Sequence, residues 1–317
     1  MRYERQQIFN KLGKENQEKL CSSVITIIGI GALGTTVLDM LARAGIGKIK
    51  IIDRDIVELN NLQRQTLFTE DDLAKPKALA ARDKISQINS EINVEAHIAD
   101  LDYDNISLLN SDLILDCTDN MYTRFLINEY SRKNNIPWIY ASVIESKGMT
   151  MNITKDTPCF SCLFKEPSEA LDTCDTAGIL NTTPHALAAI QVTEAIKILT
   201  NQDYSRNLIH YDLWNHEITK IKTKKLKSCK VCNKTYEYLD GKKSPSTIKI
   251  CGSCNFQIKI ENKDMDEVFN KLSRLNNIKT ADECLILKDI ILFKSGRALI
   301  KAQTKEKAKS ILAKYLG

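Results

Sequence analysis

Short apolar runs alternate with helical patterns along the first two thirds of this chain, and that alternation predicts its architecture. Val24 to Gly29 is a β-branched run ending in glycine. A helical pattern follows from Ala32 to Arg43, and a second β-branched run spans Lys48 to Asp53. Strand, helix and strand in that order predict a βαβ unit. Further apolar runs end at His97, Cys117 and Val143, with helical patterns over Pro76 to Ile88 and Arg124 to Asn134. The repetition predicts an α/β fold built on a Rossmann-like, doubly wound, mostly parallel sheet. Pro76 suits the first position of its helix, where the missing N–H costs nothing, and this puts Lys77 in the first turn. Thr183-Pro184 opens another helix in the same way, with Leu187, Ala188, Val192, Ala195, Ile196 and Leu199 on its buried stripe.

Beyond Asn233 the texture changes to short strand-like pieces: Thr247 to Ile250, Gln257 to Ile260, Leu285 to Leu287, Ile290 to Phe293 and Ala298 to Lys301. Helical patterns lie at Asp264 to Leu275 and Glu306 to Tyr315. The expected organisation is a nucleotide-binding domain over residues 1–235 and a small α+β domain over 236–317.

With 317 residues, 43% of them hydrophobic, the chain can bury a proper core. No apolar stretch approaches the roughly 20 residues that span a bilayer, and Met1-Arg2-Tyr3-Glu4-Arg5 is charged, so a soluble, cytoplasmic protein with no membrane partner is expected. A net charge of +5 and lysines from Lys220 to Lys230 allow an acidic partner. A solvated lysine face is the simpler account, and a nucleic-acid partner is disfavoured. Among ten cysteines, six stand in Cys-x-x-Cys pairs: Cys159/Cys162, Cys229/Cys232 and Cys251/Cys254. The four histidines lack His-x-x-x-His spacing, so a structural metal would be held by thiolate sulfur.

The chemistry-bearing residues end the apolar runs. Gly29-x-Gly31-x-x-Gly34 lets backbone amides approach a phosphate at a helix N-terminus, and Asp53 is where a carboxylate meets ribose hydroxyls. These features alone describe an NAD-dependent oxidoreductase. Asn61, Arg64 and Lys77 add an amide and two cations to one wall of the cleft, which an intact pyrophosphate does not need. Phosphoryl or nucleotidyl transfer does, because charge builds on oxygen in the transition state. Asp119 follows a strand at the sheet's carboxyl edge and suits Mg²⁺. Taken singly, Arg64 reads equally well as a surface ion pair, Lys77 as a solvated helix residue and Asp119 as the cap of the helix near Met121.

Together these residues resemble the ThiF/MoeB/HesA adenylyltransferases, relatives of the ubiquitin-activating enzymes. The resemblance covers about residues 1–235 through Arg2-Tyr3-x-Arg5-Gln6, the glycine motif, Asp53-x-Asp55-x-Val57-x-x-x-Asn61-Leu62-x-Arg64-Gln65, Pro76-Lys77, Cys117-Thr118-Asp119-Asn120 and two Cys-x-x-Cys pairs. It implies ATP-dependent adenylylation of the C-terminal glycine of a ubiquitin-like sulfur carrier ending in Gly-Gly, for thiamine, molybdopterin or tRNA thiolation. It further implies that Asp53 holds the ribose, that Asn61, Arg64 and Lys77 hold the phosphates, and that Asp119, with Asn120 beside it in the ATP pocket, binds Mg²⁺. Arg5 would complete the site of a second copy in a homodimer.

Cys159, Cys162, Cys229 and Cys232 have the spacing of a closed Cys₄ zinc site, with Cys251/Cys254 as an alternative pair. Cys174 matches a position where some family members carry a reactive cysteine. The flanking Asp172 and Asp175 work against a thiolate there, so whether it is essential stays open. The C-terminal domain lacks a rhodanese Cys-x-x-x-x-x-Arg loop, which implies a separate sulfur donor. The competing readings are activation of another carboxylate, in a modified tRNA base or a peptide, and a non-catalytic nucleotide- or carrier-binding scaffold.

Overall fold

The computed structural model describes residues 2–166, 177–243, 248–250, 255–260, 264–273, 278–281 and 284–316. They form two compact units, one within residues 2–243 and one within 248–316. Cys174, Cys251 and Cys254 lie outside the described residues.

The larger unit opens with α1 (Glu4–Ile8) and α2 (Gly13–Ser22), then β1 (Val24–Ile28), α3 (Ala32–Ala44) and β2 (Lys48–Asp53). It continues through α4 (Lys77–Ile88), β3 (Asn93–Ile98), β4 (Leu113–Asp116), α5 (Met121–Asn134) and β5 (Trp138–Ile144). The strand order β3-β2-β1-β4-β5 is parallel throughout, with Ile25 opposite both Ile49 and Leu113. β6 (Lys147–Ile153), β7 (Leu208–Asp212) and β8 (Glu217–Ile221) extend the sheet antiparallel. Between β6 and β7 lie α6 (Phe160–Leu163) and α7 (Thr182–Leu199).

The period-2 pleat sends alternate residues to opposite faces. Ile27, Ile51, Leu115 and Ile139 join a core with α3, α4 and α7, while Ile28, Ile52, Ile114 and Trp138 join one with α5 and the cysteine pairs. Parallel strands covered on both faces read as continuous apolar runs, which is why these strands are visible in the sequence. α3 stops at Gly45, whose φ of 89° lets its N–H reach the carbonyls of Leu41 and Ala42.

The division expected after residue 235 falls inside the larger unit. Tyr236, Tyr238 and Leu239 pack into its core, and the Glu129 carboxylate accepts N–H bonds from Glu237, Tyr238 and Leu239 at 3.1, 2.9 and 3.0 Å.

The smaller unit contains β9 (Ile248–Ile250), β10 (Asn255–Lys259), α8 (Met265–Leu272), β11 (Lys279–Ala281), β12 (Cys284–Ile286), β13 (Ile290–Phe293), β14 (Arg297–Lys301) and α9 (Lys305–Leu316). Its six strands are antiparallel in the order β11-β12-β13-β14-β10-β9. The core draws Leu285, Leu292 and Ile300 from the sheet, Phe269 and Leu272 from α8, and Ala308 from α9. Asp264 caps α8, accepting from the N–H groups of Asp266 and Glu267.

Candidate active site

β1 and β4 are neighbours although the chain visits β2 and β3 between them, so the strand order reverses here and a crevice opens beyond their carboxyl ends. The glycine turn closes one side of it. Gly29 has φ of 87°, and a Cβ on it would lie 2.7 Å from the Cys117 carbonyl oxygen. A Cβ on Gly34 would lie 1.9 Å from the Gly29 carbonyl oxygen. Those two glycines are required by packing. Gly31 differs, because among the described residues a Cβ there would meet only the Gln65 side-chain nitrogen, at 3.9 Å. That side of the turn is otherwise open within 4 Å among the described residues. The first turn of α3 holds no acidic residue and no side chain caps it, which leaves the positive end of the helix available to an anion.

Asp53 ends β2 and turns its buried carboxylate onto this loop, accepting from the Ile30 N–H at 2.6 Å and the Asp55 N–H at 2.7 Å. Burial raises its pKa above the usual carboxylate value, against the opposing pull of Lys77. Lys77 begins α4, where its N–H donates to the Asp55 carbonyl at 2.8 Å. Its ammonium is buried 3.6 Å from the Asp55 carboxylate. Burial works against that charge, but Asp55, Asp53 and Asp119 outweigh it and raise the pKa. Lys77 is thus an enclosed cation among carboxylates and not a solvated helix residue.

Asp119 lies in the β4–α5 turn. The cap of α5 is Asn120, whose side-chain oxygen accepts from the Thr123 N–H at 2.8 Å. That frees Asp119, which is exposed and makes no hydrogen bond or ion pair among the described residues. Its charge bears on Lys77, Arg54 and Arg124. Asn61 is buried in a 3-10 turn, Leu59–Asn61, its amide bonded to the Glu58 N–H and the Asn60 side chain. The Arg64 side chain donates to the Asn60 carbonyl at 2.8 Å, and its backbone N–H to the Asn61 carbonyl at 3.0 Å. Arg5 is exposed on α1 with no polar partner among the described residues, next to exposed Ile8 and Phe9.

Two arginines without an assigned role in the sequence reading support this site. Arg54 donates to Asp100 at 3.0 Å and lies near Asp55. Arg124 is buried, donating to the Asp116 carboxylate at 3.1 Å and to the Thr118 carbonyl at 2.6 Å. That second bond fixes the turn carrying Asp119. Arg54 sits inside the Asp-Arg-Asp string and was open to notice there, whereas Arg124 reads as an ordinary helical residue. His185 contacts the Asn181 carbonyl at 2.7 Å and the Thr66 hydroxyl at 3.4 Å.

The sulfur atoms of Cys159, Cys162, Cys229 and Cys232 lie within 4.8 Å of one another, with Cys159 3.5 Å from Cys229 and Cys162 3.6 Å from Cys232. A tetrahedral ion with bonds of about 2.3 Å needs sulfur separations near 3.8 Å, so the set fits zinc. Burial and the three neighbouring sulfurs push the Cys159 thiol well up, a cost that a bound cation would remove. α5 anchors both pairs. Asn128 accepts from the Phe160 N–H at 2.8 Å beside the first pair, and Glu129 holds the chain that follows the second.

Lys77 enclosed among Asp53, Asp55 and Asp119 beyond a mostly parallel sheet, with two cysteine pairs gathered beside α5, is the pattern of one protein class. The chain belongs to the ThiF family, which it matches over residues 3–232. A sulfur carrier protein ThiS adenylyltransferase of Bacillus subtilis (strain 168) is 37% identical over 333 residues, covering 100% of this chain and 99% of that protein. A molybdopterin-synthase adenylyltransferase of Salmonella typhimurium is 33% identical, covering 73% of this chain and 96% of that protein. Among solved structures, Escherichia coli MccB with MccA-N7isoASN matches with a TM-score of 0.66 at 24% identity, over 73% of this chain and 75% of that one, which is a likeness of fold. No helix among the described residues is long and apolar enough to cross a membrane.

Proposed function

We infer that this protein is an ATP-dependent adenylyltransferase that activates the C-terminal glycine carboxylate of a ubiquitin-like sulfur-carrier protein. The observation that carries the reading is the enclosed Lys77 ammonium facing Asp53, Asp55 and Asp119 at the β1/β4 crevice. A binding scaffold has little use for a buried cation opposite an unpaired metal-type carboxylate. The likeness to the Bacillus ThiS adenylyltransferase along the whole chain supports a carrier of that class.

In this reading the α3 N-terminus and the open side of Gly31 receive the phosphates, and Asp53 takes the ribose hydroxyls. Asn61, Arg64 and Lys77 hold the triphosphate, and Asn120 lines the pocket while capping α5. A carrier carboxylate oxygen attacks the α-phosphorus in line. The bond to the bridging α,β-oxygen breaks, and pyrophosphate leaves with the electron pair. The nucleophile is already ionised, so the barrier is charge repulsion and positioning, which Lys77 and Arg64 lower. The unpaired Asp119 carboxylate fits Mg²⁺, which when bound would neutralise part of the phosphate charge. Zinc in the Cys₄ set would brace α5 and so the turn that presents Asp119.

Exposed Arg5, with Ile8 and Phe9 beside it, supports a homodimer in which Arg5 enters the partner's site. The thiol-rich metal site suits a reducing cytoplasm. The test is ATP–pyrophosphate exchange with Mg²⁺ and candidate Gly-Gly-ended carriers. Exchange that depends on one carrier supports the reading and identifies the substrate, whereas no exchange with any carrier sinks it.

A further inference from the structure

Gln65 sits on the wall of the cleft, in the turn after Leu59–Asn61. Its backbone is fully used, with the N–H donating to the Asn61 carbonyl at 3.0 Å and the carbonyl accepting from the Phe68 N–H at 3.2 Å. Its side chain is not. The residue is 3% exposed, the side-chain oxygen Oε1 is shielded from solvent without a hydrogen-bond partner, and Nε2 donates to no described residue. A primary amide carries two donors and an acceptor, and burying it unpaired is costly. Natural proteins leave few such groups.

The position of the amide shows what it waits for. Its Nε2 is the nearest atom to the open side of Gly31, the one glycine of the motif whose hydrogen is not demanded by packing. A ligand over Gly31 therefore lies against this amide. Resting on the adenylyltransferase reading, we propose that Gln65 is a substrate-binding residue whose side-chain N–H donates to a phosphoryl oxygen of the bound nucleoside triphosphate. Phosphoryl oxygens only accept, so they satisfy Nε2.

The amide then works against the empty protein and for the complex, and this sets the test. Wild type, Gln65→Met and Gln65→Glu are melted without nucleotide and titrated with MgATP by calorimetry, all as the full chain. Methionine keeps the shape and removes the orphan, so its nucleotide-free melting temperature equals or exceeds wild type, by up to about 2–4 °C. Its affinity for MgATP falls about tenfold. Glutamate keeps an acceptor but sets a negative charge against the phosphates, and binds more weakly still. Unchanged MgATP affinity in both variants overturns the proposal. So does weaker binding in Gln65→Met accompanied by a lower melting temperature, which marks a packing role. Wild type that fails to bind MgATP removes the adenylyltransferase reading itself, and the inference falls with it.

Discussion

Lys77→Met tests the electrostatics of the cleft most directly, because methionine keeps the aliphatic stem and removes the charge. The ammonium lies 3.6 Å from Asp55, a separation at which unit charges attract by roughly 4–5 kcal/mol at an effective dielectric near 20. Much of that attraction offsets the desolvation of a buried ammonium, so the net change in fold stability is smaller. The kinetic effect has no such offset. A fixed cation aimed at developing phosphate charge contributes about 3–4 kcal/mol, so the exchange rate falls roughly 100- to 1000-fold.

A pH signature accompanies the loss. Burial already raises the Asp53 pKa, and Lys77 pulls it back down. Ionising such a carboxyl costs stability as pH climbs from its unfolded value through its folded one, and without Lys77 that window extends upward. In the proposed function ribose binding needs ionised Asp53, so the acid limb of the exchange profile shifts to higher pH in the variant. The assay is ATP–pyrophosphate exchange across pH with a melt at each point. An exchange rate within threefold of wild type, or an acid limb that stays in place, would refute the argument.

The glycines should separate packing from binding. Gly34→Ala, with its Cβ 1.9 Å from the Gly29 carbonyl oxygen, lowers the melting temperature by several degrees and abolishes ATP binding, whereas Gly31→Ala melts like wild type and only binds ATP more weakly. Asn120→Ala loses the cap on Thr123 and about 1 kcal/mol of stability in a denaturant titration. Asp119→Ala melts normally but loses pyrophosphate exchange, and a lowered melting temperature there would mean that it braces the turn instead. Cys162→Ser, or a strong chelator, lowers metal content by elemental analysis, the melting temperature and the exchange rate together, because α5 carries both the cysteine anchors and the Asp119 turn.

The alternation of apolar runs and helical patterns is local. It therefore determined β1, α3 and β2, the helix expected from Pro76, which has Pro76 as its cap and begins at Lys77, and the glycine turn with Asp53 after it, since each signal lies within one or two elements. The order of the polar motifs further carried the resemblance to the adenylyltransferases. β6, β7 and β8 escaped the sequence reading because they pair antiparallel at the end of the sheet, where β8 is exposed along its whole length and has no apolar signature. The tie from Glu129 that keeps residues 236–243 in the larger unit spans more than a hundred positions, so no composition shift marks it. That Asn120 and not Asp119 caps α5 is a matter of side-chain geometry that two adjacent capping residues leave undecided. Lys77 reads as a helix residue and Gln65 as one more polar residue in a turn. Only folding buries the first among carboxylates and strands the second over Gly31, because burial and pairing are properties of what other segments bring to a residue.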